Sequence, residues 1–421
     1  MHPGSALSTR RAALHERLAA GLSRVYGDDP ARAAELALHF VEAVRLGADG
    51  AVATGAVLHS VRAGEWALTR LGYEQAAARF TDALDVVDTA GSASPAERTR
   101  LLVALGGALW RAGDVPRAQA AFVEAATVAR AAGEVELLAE AVIGIGGGPY
   151  RSWHAARGDL SDLVVDHLVR ALVGIGDDDS SVRVRLLGCL AEALYYVDPA
   201  RRWSLSAEAL AMARRLDDPI SLASALSSRL LCVWDPSGLD ERLALCPEII
   251  ALASVMGDQQ LGLFGRRHGA VALLEAGEIG AAAEMLDAFS TLAEDIRQPL
   301  HLWEAMWLRA VVVLLQGRLD EAEALATAAL HRGQGTRDDD ALGIYGALVA
   351  IIRSEQGRLV ELEDAMRSFA QDFPDIMAWR VGWVGTLAEL GRHAEARIEM
   401  DTLAAEGFAD LPTTSFTSAH W

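Results

Sequence analysis

The chain has 421 residues and a formal net charge of −20, and all 38 of its basic residues are arginine. Without lysine there is no amine for a Schiff base, no anchor for pyridoxal phosphate and no phosphate-binding loop of the G-x-x-x-x-G-K-[ST] type. The acidic balance opposes binding to a phosphate backbone, so no direct nucleic-acid partner is expected.

Hydrophobic residues make up 52% of the chain, prolines number only 12, and Ala-Leu-Glu-Arg segments dominate, which predicts an all-α protein. The length exceeds one compact core, so several domains or one elongated repeat array is expected. Cys189, Cys232 and Cys246 have no C-x-x-C spacing. They indicate neither a zinc cluster nor a disulfide framework, and a reducing cytoplasm fits best. The segment Met1 to Arg11 is not followed by a signal-peptide block, and apolar runs such as Ala310 to Leu315 fall far short of a span of roughly 20 residues. No membrane partner is expected.

In chain order, residues 1–145 read as amino-terminal helical repeats. Leu71-Gly72-Tyr73 followed by Ala76, Phe80 and Ala83, and Gly113-Asp114 followed by Ala118, Phe122 and Ala125, follow tetratricopeptide grammar. Alanine five residues after the turn lets two helices approach, and the larger residue at plus nine fills the gap between hairpins. Residues 146–160 form a breaker-rich connector, Gly146-Gly147-Gly148-Pro149-Tyr150 to Asp159, carrying Trp153 and His154. Residues 161–377 are the most regular.

Glycines 277, 317 and 357 stand 40 residues apart there, and the columns Leu231/Val271/Val311/Ile351 and Leu239/Ile279/Leu319/Leu359 stay apolar. The register extends back to Asp178, where Leu186 and Leu190 match Leu226 and Leu230. First helices are predicted near 219–234, 259–275, 299–315 and 339–355. Second helices are predicted near 280–294, 319–332 and 359–372, with left-handed glycines at the turns between. Residues 378–421 hold one more hairpin, opened by Gly391-Arg392 with Ala396, Met400 and Leu403, and then a frayed tail. A tetratricopeptide-like right-handed solenoid of about nine to ten hairpins follows.

No catalytic or metal motif is legible. There is no H-E-x-x-H among the 11 histidines and no G-x-S-x-G, and the triplet Gly146 to Gly148 precedes proline instead of opening a helix. The runs Asp177 to Asp179 and Asp338 to Asp340 are expected at helix starts, where they complement the dipole. No cofactor is expected.

The register separates packing columns from irregular ones. Leu230/Ala270/Ala310/Ala350 is small and uniform, whereas Leu226/Arg266/Met306, Ser227/Arg267/Trp307 and Arg229/Gly269/Arg309 vary in size and charge. First helices of such hairpins line the inner wall, so Arg229, Trp234, Arg266, Arg267, His268, Trp303, Trp307 and Arg309 are the candidate ligand-binding residues. Arginines beside indoles can clamp an anionic or aromatic group. The competing account is that the tryptophans fill gaps between repeats and the arginines pair with nearby carboxylates.

Several strings are similar to a known family. Arg10-Arg11-Ala12-Ala13-Leu14-His15-Glu16-Arg17-Leu18, Glu35-Leu36-Ala37-Leu38-His39-Phe40 and Tyr73-Glu74-Gln75-Ala76-Ala77 resemble the segment that follows the NTPase module of large actinobacterial ATP-binding regulators, LuxR-type and related signal-transducing NTPases. Ala213-Arg214-Arg215-Leu216-Asp217-Asp218-Pro219 and Arg297-Gln298-Pro299-Leu300-His301-Leu302-Trp303 resemble their tetratricopeptide sensor arm. The resemblance implies a sensing role. The family's ATPase and DNA-binding residues have no counterpart here, and the family's arm is expected to continue beyond the position of Trp421.

The expectation is a non-catalytic regulatory or sensor scaffold that binds a small molecule or protein segment in its concave groove. The alternatives are a cofactor-free enzyme of secondary metabolism, for example a cyclase using His268, Glu275, His301 and Glu304, and a self-associating structural module. The oligomeric state is left open.

Overall fold

Apolar side chains recurring at helical spacing, with glycine or proline at each turn, leave the chain no use for strands. The computed structural model describes residues 3–27, 29–48, 50–91, 93–145, 160–195, 198–297, 299–334, 338–372 and 377–405, and no strand occurs among them. The connector carrying Trp153 and His154, up to Asp159, and the tail from Glu406 lie outside the described residues.

The helices are α1 (Pro3–Tyr26), α2 (Ala33–Arg45), α3 (Ala51–Thr69), α4 (Tyr73–Ala90), α5 (Pro95–Ala112), α6 (Val115–Ala132), α7 (Val135–Ile145), α8 (Leu160–Ile175), α9 (Ser181–Ala193) and α10 (Pro199–Leu216). They continue as α11 (Pro219–Cys232), α12 (Leu239–Met256), α13 (Gln259–Glu275), α14 (Ile279–Ile296), α15 (Pro299–Leu315), α16 (Leu319–Gly333), α17 (Asp338–Glu355), α18 (Glu363–Asp372), α19 (Met377–Glu389) and α20 (His393–Ala405). Consecutive helices pack as hairpins, α3 on α4, α5 on α6, α13 on α14, α15 on α16 and α19 on α20 among them. The protein is an all-α, tetratricopeptide-like helical-hairpin repeat. No helix among the described residues is long and apolar enough to cross a membrane.

The first helices α13 and α15 begin and end where the 40-residue register places them, and Gly277, Gly317 and Gly357 have φ of +79°, +76° and +68° at the predicted turns. Two details differ. Helix α11 stops at Cys232, so Trp234 sits in the turn ahead of Asp235, whose carboxylate caps the 3-10 turn Pro236–Gly238. Helix α9 starts at Ser181 with Ser180 as its cap, so Asp177 and Asp179 lie ahead of the first turn and pair with Arg183 and Arg215.

Contacts divide the chain into two compact units, residues 1–225 and 226–421. The core of the first contains Phe80 and Phe122, each nearly inaccessible. Phe122 lies against Gly106 and Gly144, where an added Cβ would come within 2.8 Å and 2.2 Å of the ring, and Phe80 occupies the same position against Gly64. Bare glycine backbone on one helix is thus the socket for the aromatic ring of the next. The core of the second unit is a succession of smaller clusters, around Phe289 and Leu308, then Val313 and Ile352, then Trp383 and Leu387.

The register also places three helix-ending residues in the left-handed region, Asp217, Gly257 and Arg297, with φ of +52°, +66° and +56°. A Cβ makes that conformation unfavourable, which glycine avoids. Arg297→Gly is expected to stabilise the second unit by about 1 kcal/mol, read as a higher urea midpoint with unchanged slope. Phe122→Ala is expected to cost the first unit about 3–5 kcal/mol; a loss below 1 kcal/mol in the same measurement would contradict the socket.

Candidate functional site

Helices α13 and α15 open successive hairpins, and polar side chains join them. Gln260 stands in the first turn of α13 and His301 in the first turn of α15. His301 Nε2 lies 3.0 Å from Gln260 Oε1, and His301 Nδ1 lies 3.0 Å from Glu304 Oε2, one turn along the same helix. Back on α13, the Arg267 guanidinium donates to Glu304 Oε1 at 2.5 Å. The result is one chain of hydrogen bonds, Gln260–His301–Glu304–Arg267. Sequence separations of 41 and 37 straddle the repeat, so both cross-helix bonds connect neighbouring first helices.

Burial alone would raise the Glu304 pKa, but the charge of Arg267 and the His301 hydrogen bond outweigh it and hold the carboxyl at about 2. An ionised carboxylate can only accept, so His301 Nδ1 carries a proton toward it. Nε2 then donates to Gln260, or accepts from the Gln260 amide turned over. Glu304 is 6% exposed, His301 16% and Arg267 23%, so the network is rooted in the interior and reaches solvent at its cationic end.

His268 is adjacent to Arg267 but faces inward. It is buried, its Nδ1 donates to Phe264 O at 2.8 Å, and its ring packs on Phe264 and edge-on against Trp234, with centroids 4.2 Å and 5.1 Å away. Burial, reinforced by the charge of Arg267, pushes its pKa down to about 3, so the ring is neutral at neutral pH. Trp234 is covered on another side by Arg242, whose guanidinium carbon lies 4.7 Å from the indole centroid. Arg242 is fully buried, donates twice to Glu275, at 2.9 Å and 2.6 Å, and reaches Asp235 O at 3.3 Å.

The remaining candidates lie around these two groups. Trp303 is buried against Ala329 and Ala341, and its centroid is 6.4 Å from that of Trp307. Trp307 is half-buried, packs on both neighbouring clusters, and its buried Nε1 finds no hydrogen-bond partner among the described residues. Arg229 donates twice to Glu241, at 2.7 Å and 2.8 Å, and Arg309 pairs with Asp287. Arg266, half-buried, donates to Gly262 O at 3.0 Å on its own helix and has no carboxylate partner among the described residues.

The eight ligand-binding candidates therefore divide. His268 meets Trp234 beneath Arg242; Arg267 joins Glu304 and His301; Trp303 meets Trp307; Arg229 and Arg309 are each held by a carboxylate; Arg266 folds back on its own helix. Of the four acid–base candidates, Glu275 is clamped by Arg242, His268 is buried, and His301 and Glu304 form one hydrogen-bonded pair. No group of three or more metal-ligating side chains occurs among the described residues.

Two residues the sequence reading passed over are central, Arg242 and Gln260. For Arg242 a signal existed, because the register aligns Arg202, Arg242, Ala282 and Ala322 at the position where hairpins need a small residue. Both arginines fold back over the preceding turn in the same way. Arg202 lies 4.2 Å from the Tyr195 centroid and donates to Tyr195 O at 3.2 Å. Gln260 gave no signal, since a glutamine in a first turn is ordinary.

No protein-family model matches the chain, and no curated protein matches it. Solved structures do. The apo form of RapI matches with a TM-score of 0.50 at 12% identity, covering 83% of this chain and 99% of that one. A Rap protein complexed with competence and sporulation factor gives 0.49 at 15% identity, covering 84% and 99%. A signal transduction ATPase with numerous domains that carries a tetratricopeptide repeat sensor, from Pyrococcus horikoshii, gives 0.44 at 12% identity, covering 90% of this chain and 53% of that one. At such identities the likeness to RapI is one of fold.

The Glu304 and His268 shifts have the same sign. Glu304 falls from an ordinary 4.5 to about 2, so its stabilisation is complete above pH 4.5 and is lost as pH drops toward 2. His268 falls from 6.5 to about 3, so protonation of the unfolded chain removes stability between those values. Acidification from pH 7 should therefore destabilise the second unit in two overlapping stages. Glu304→Gln should cost about 3 kcal/mol at pH 7 and progressively less toward pH 2, measured by urea denaturation across that range. A pH-independent difference would contradict the charge assignment.

Proposed function

We propose that this chain is a non-catalytic repeat scaffold that binds a protein segment or small molecule on the first-helix face of residues 226–421, and that it serves as a regulatory or sensor module. The observation that carries the reading is the Gln260–His301–Glu304–Arg267 network. Packing between hairpins needs only small apolar residues, as at Ala270 and Ala310, which are 2% and 0% exposed. A buried ion pair is no more stabilising than apolar groups of the same volume, so stability does not account for this one. Recognition does, because the fixed, partly exposed Arg267 guanidinium keeps further N–H donors whose ordering cost is met before a ligand arrives.

Two neighbouring residues support the same face. Among the described residues half-buried Arg266 has no carboxylate partner, and the half-buried Trp307 indole stands one period after Arg267 with its N–H enclosed. The resemblance of the strings around Asp217 and Arg297 to a regulator's sensor arm agrees with a sensing role. The self-association and cyclase alternatives have no comparable geometric feature on their side.

Native mass spectrometry of the protein purified from its own host's lysate tests the proposal. A bound mass is expected on the wild type. Arg267→Ala and Trp307→Ala are each expected to weaken its binding by roughly tenfold, about 1.4 kcal/mol, with the helical circular dichroism retained. A wild type that carries nothing, or equal occupancy in both variants, would reject this face. Conversion of the bound compound that stops in His301→Ala would replace the scaffold reading with an enzymatic one.

A further inference from the structure

In the amino-terminal unit one contact has a chemistry that packing does not require. His15 in α1 and His39 in α2 meet with Nδ1 facing Nδ1 at 3.1 Å, their ring centroids 5.2 Å apart and their planes at 47°. Both rings are half-buried. Among the described residues this is the one side-chain hydrogen bond between the two helices. Around it, the fully buried side chains described in α1 are Ala12 and Ala19, Arg32 stacks on half-buried Tyr26, and Leu14, Leu18 and Val25 stand exposed.

Two imidazoles that meet nitrogen to nitrogen share a single proton, and the same separation suits a metal ion. Zinc–nitrogen bonds of about 2.0–2.1 Å place two ligand nitrogens about 3.4 Å apart at a tetrahedral angle and about 2.9 Å apart at a right angle. The observed 3.1 Å lies between these, so chelation needs little change in separation but a turn of each ring, by roughly 40°, that swings its lone pair from the facing nitrogen onto a shared ion. Glu35 and Glu42, four residues before and three after His39, pair with Arg32 and Arg45, so the two imidazoles are the ligands the site offers.

We propose that His15 and His39 chelate a borderline divalent cation, Zn(II), through their Nδ1 atoms, with water completing the coordination. The shared proton moves through solvent from Nδ1 to Nε2 of the same ring, so both rings bind as neutral imidazoles and the pair releases no net proton. A bound ion then clamps α1 onto α2. The site is independent of the first-helix face of residues 226–421.

Zn(II) titration by calorimetry, with hydrogen exchange of α1 in parallel, tests the site in the full chain. The variants are His15→Gln, His39→Gln, both together, and exposed His331→Gln as the control. Glutamine keeps a hydrogen-bonding side chain but is a poor zinc ligand, and circular dichroism verifies the fold. The wild type and His331→Gln are expected to bind one Zn(II) and to gain protection in α1. Each single variant should lose roughly tenfold or more in affinity, and the double variant little beyond that, because one remaining ligand no longer chelates. Equal Zn(II) affinity in wild type and Gln variants, or no binding by wild type above that of the double variant, would overturn the proposal. Protection of α1 that is indifferent to Zn(II) would overturn the clamp.

Discussion

A helical hairpin of this size cannot bury its apolar face alone, so each must stack on the next, and the whole second unit depends on that contact. Stacking fixes which residues meet. A position on one first helix comes against a position about one period later on the following first helix. Columns that meet in this way must be small, like Ala270 and Ala310, or must interlock, like the Phe122 ring seated on the bare backbone of Gly106 and Gly144. The same stacking brings Gln260 to His301 and Arg267 to Glu304, so the polar network follows from the apolar register.

The polar exceptions to the packing rule share one physical solution. Arg242 occupies a position where other repeats have alanine, and it is tolerated because Glu275 neutralises it twice over, Trp234 covers its flat face and the Asp235 carbonyl accepts another hydrogen. Glu304 remains ionised in the interior because Arg267 and His301 both satisfy it. His268 takes the opposite course and gives up its charge, donating to a carbonyl of its own helix. These three solutions, pairing, networking and neutralisation, concentrate around α13. Arg202, buried over Tyr195, repeats the pattern, whereas ion pairs such as Arg318–Glu321 lie in solvent and contribute little.

At the amino-terminal end of the described residues, α1 packs on α2. Its fully buried contacts are made by alanines, and Leu14, Leu18 and Val25 face outward. A helix placed so has little burial to hold it, and a specific link such as the His15–His39 contact weighs more there than it would in the middle of the array.

The sequence by itself determined the helices, their turns and their pairing. Periodic apolar spacing, glycine at left-handed turns and a gapless period are local or one-dimensional signals, and α13 and α15 lie where those signals put them. The same register brought Arg267, His301, Glu304 and Trp307 into one region. It carried the sign that Arg202 and Arg242 break the alanine column, a sign legible only once the column is written out. Only the tertiary structure decided how each charged side chain is used: that Arg229 and Arg309 are already paired, that His268 points inward, that Gln260 completes a chain of hydrogen bonds, and that His15 meets His39. Those outcomes depend on side-chain direction and on which carboxylate lies within reach across a helix contact. Residue type does not encode them, because the same arginine on the same stripe can turn toward solvent, a neighbour or its own backbone.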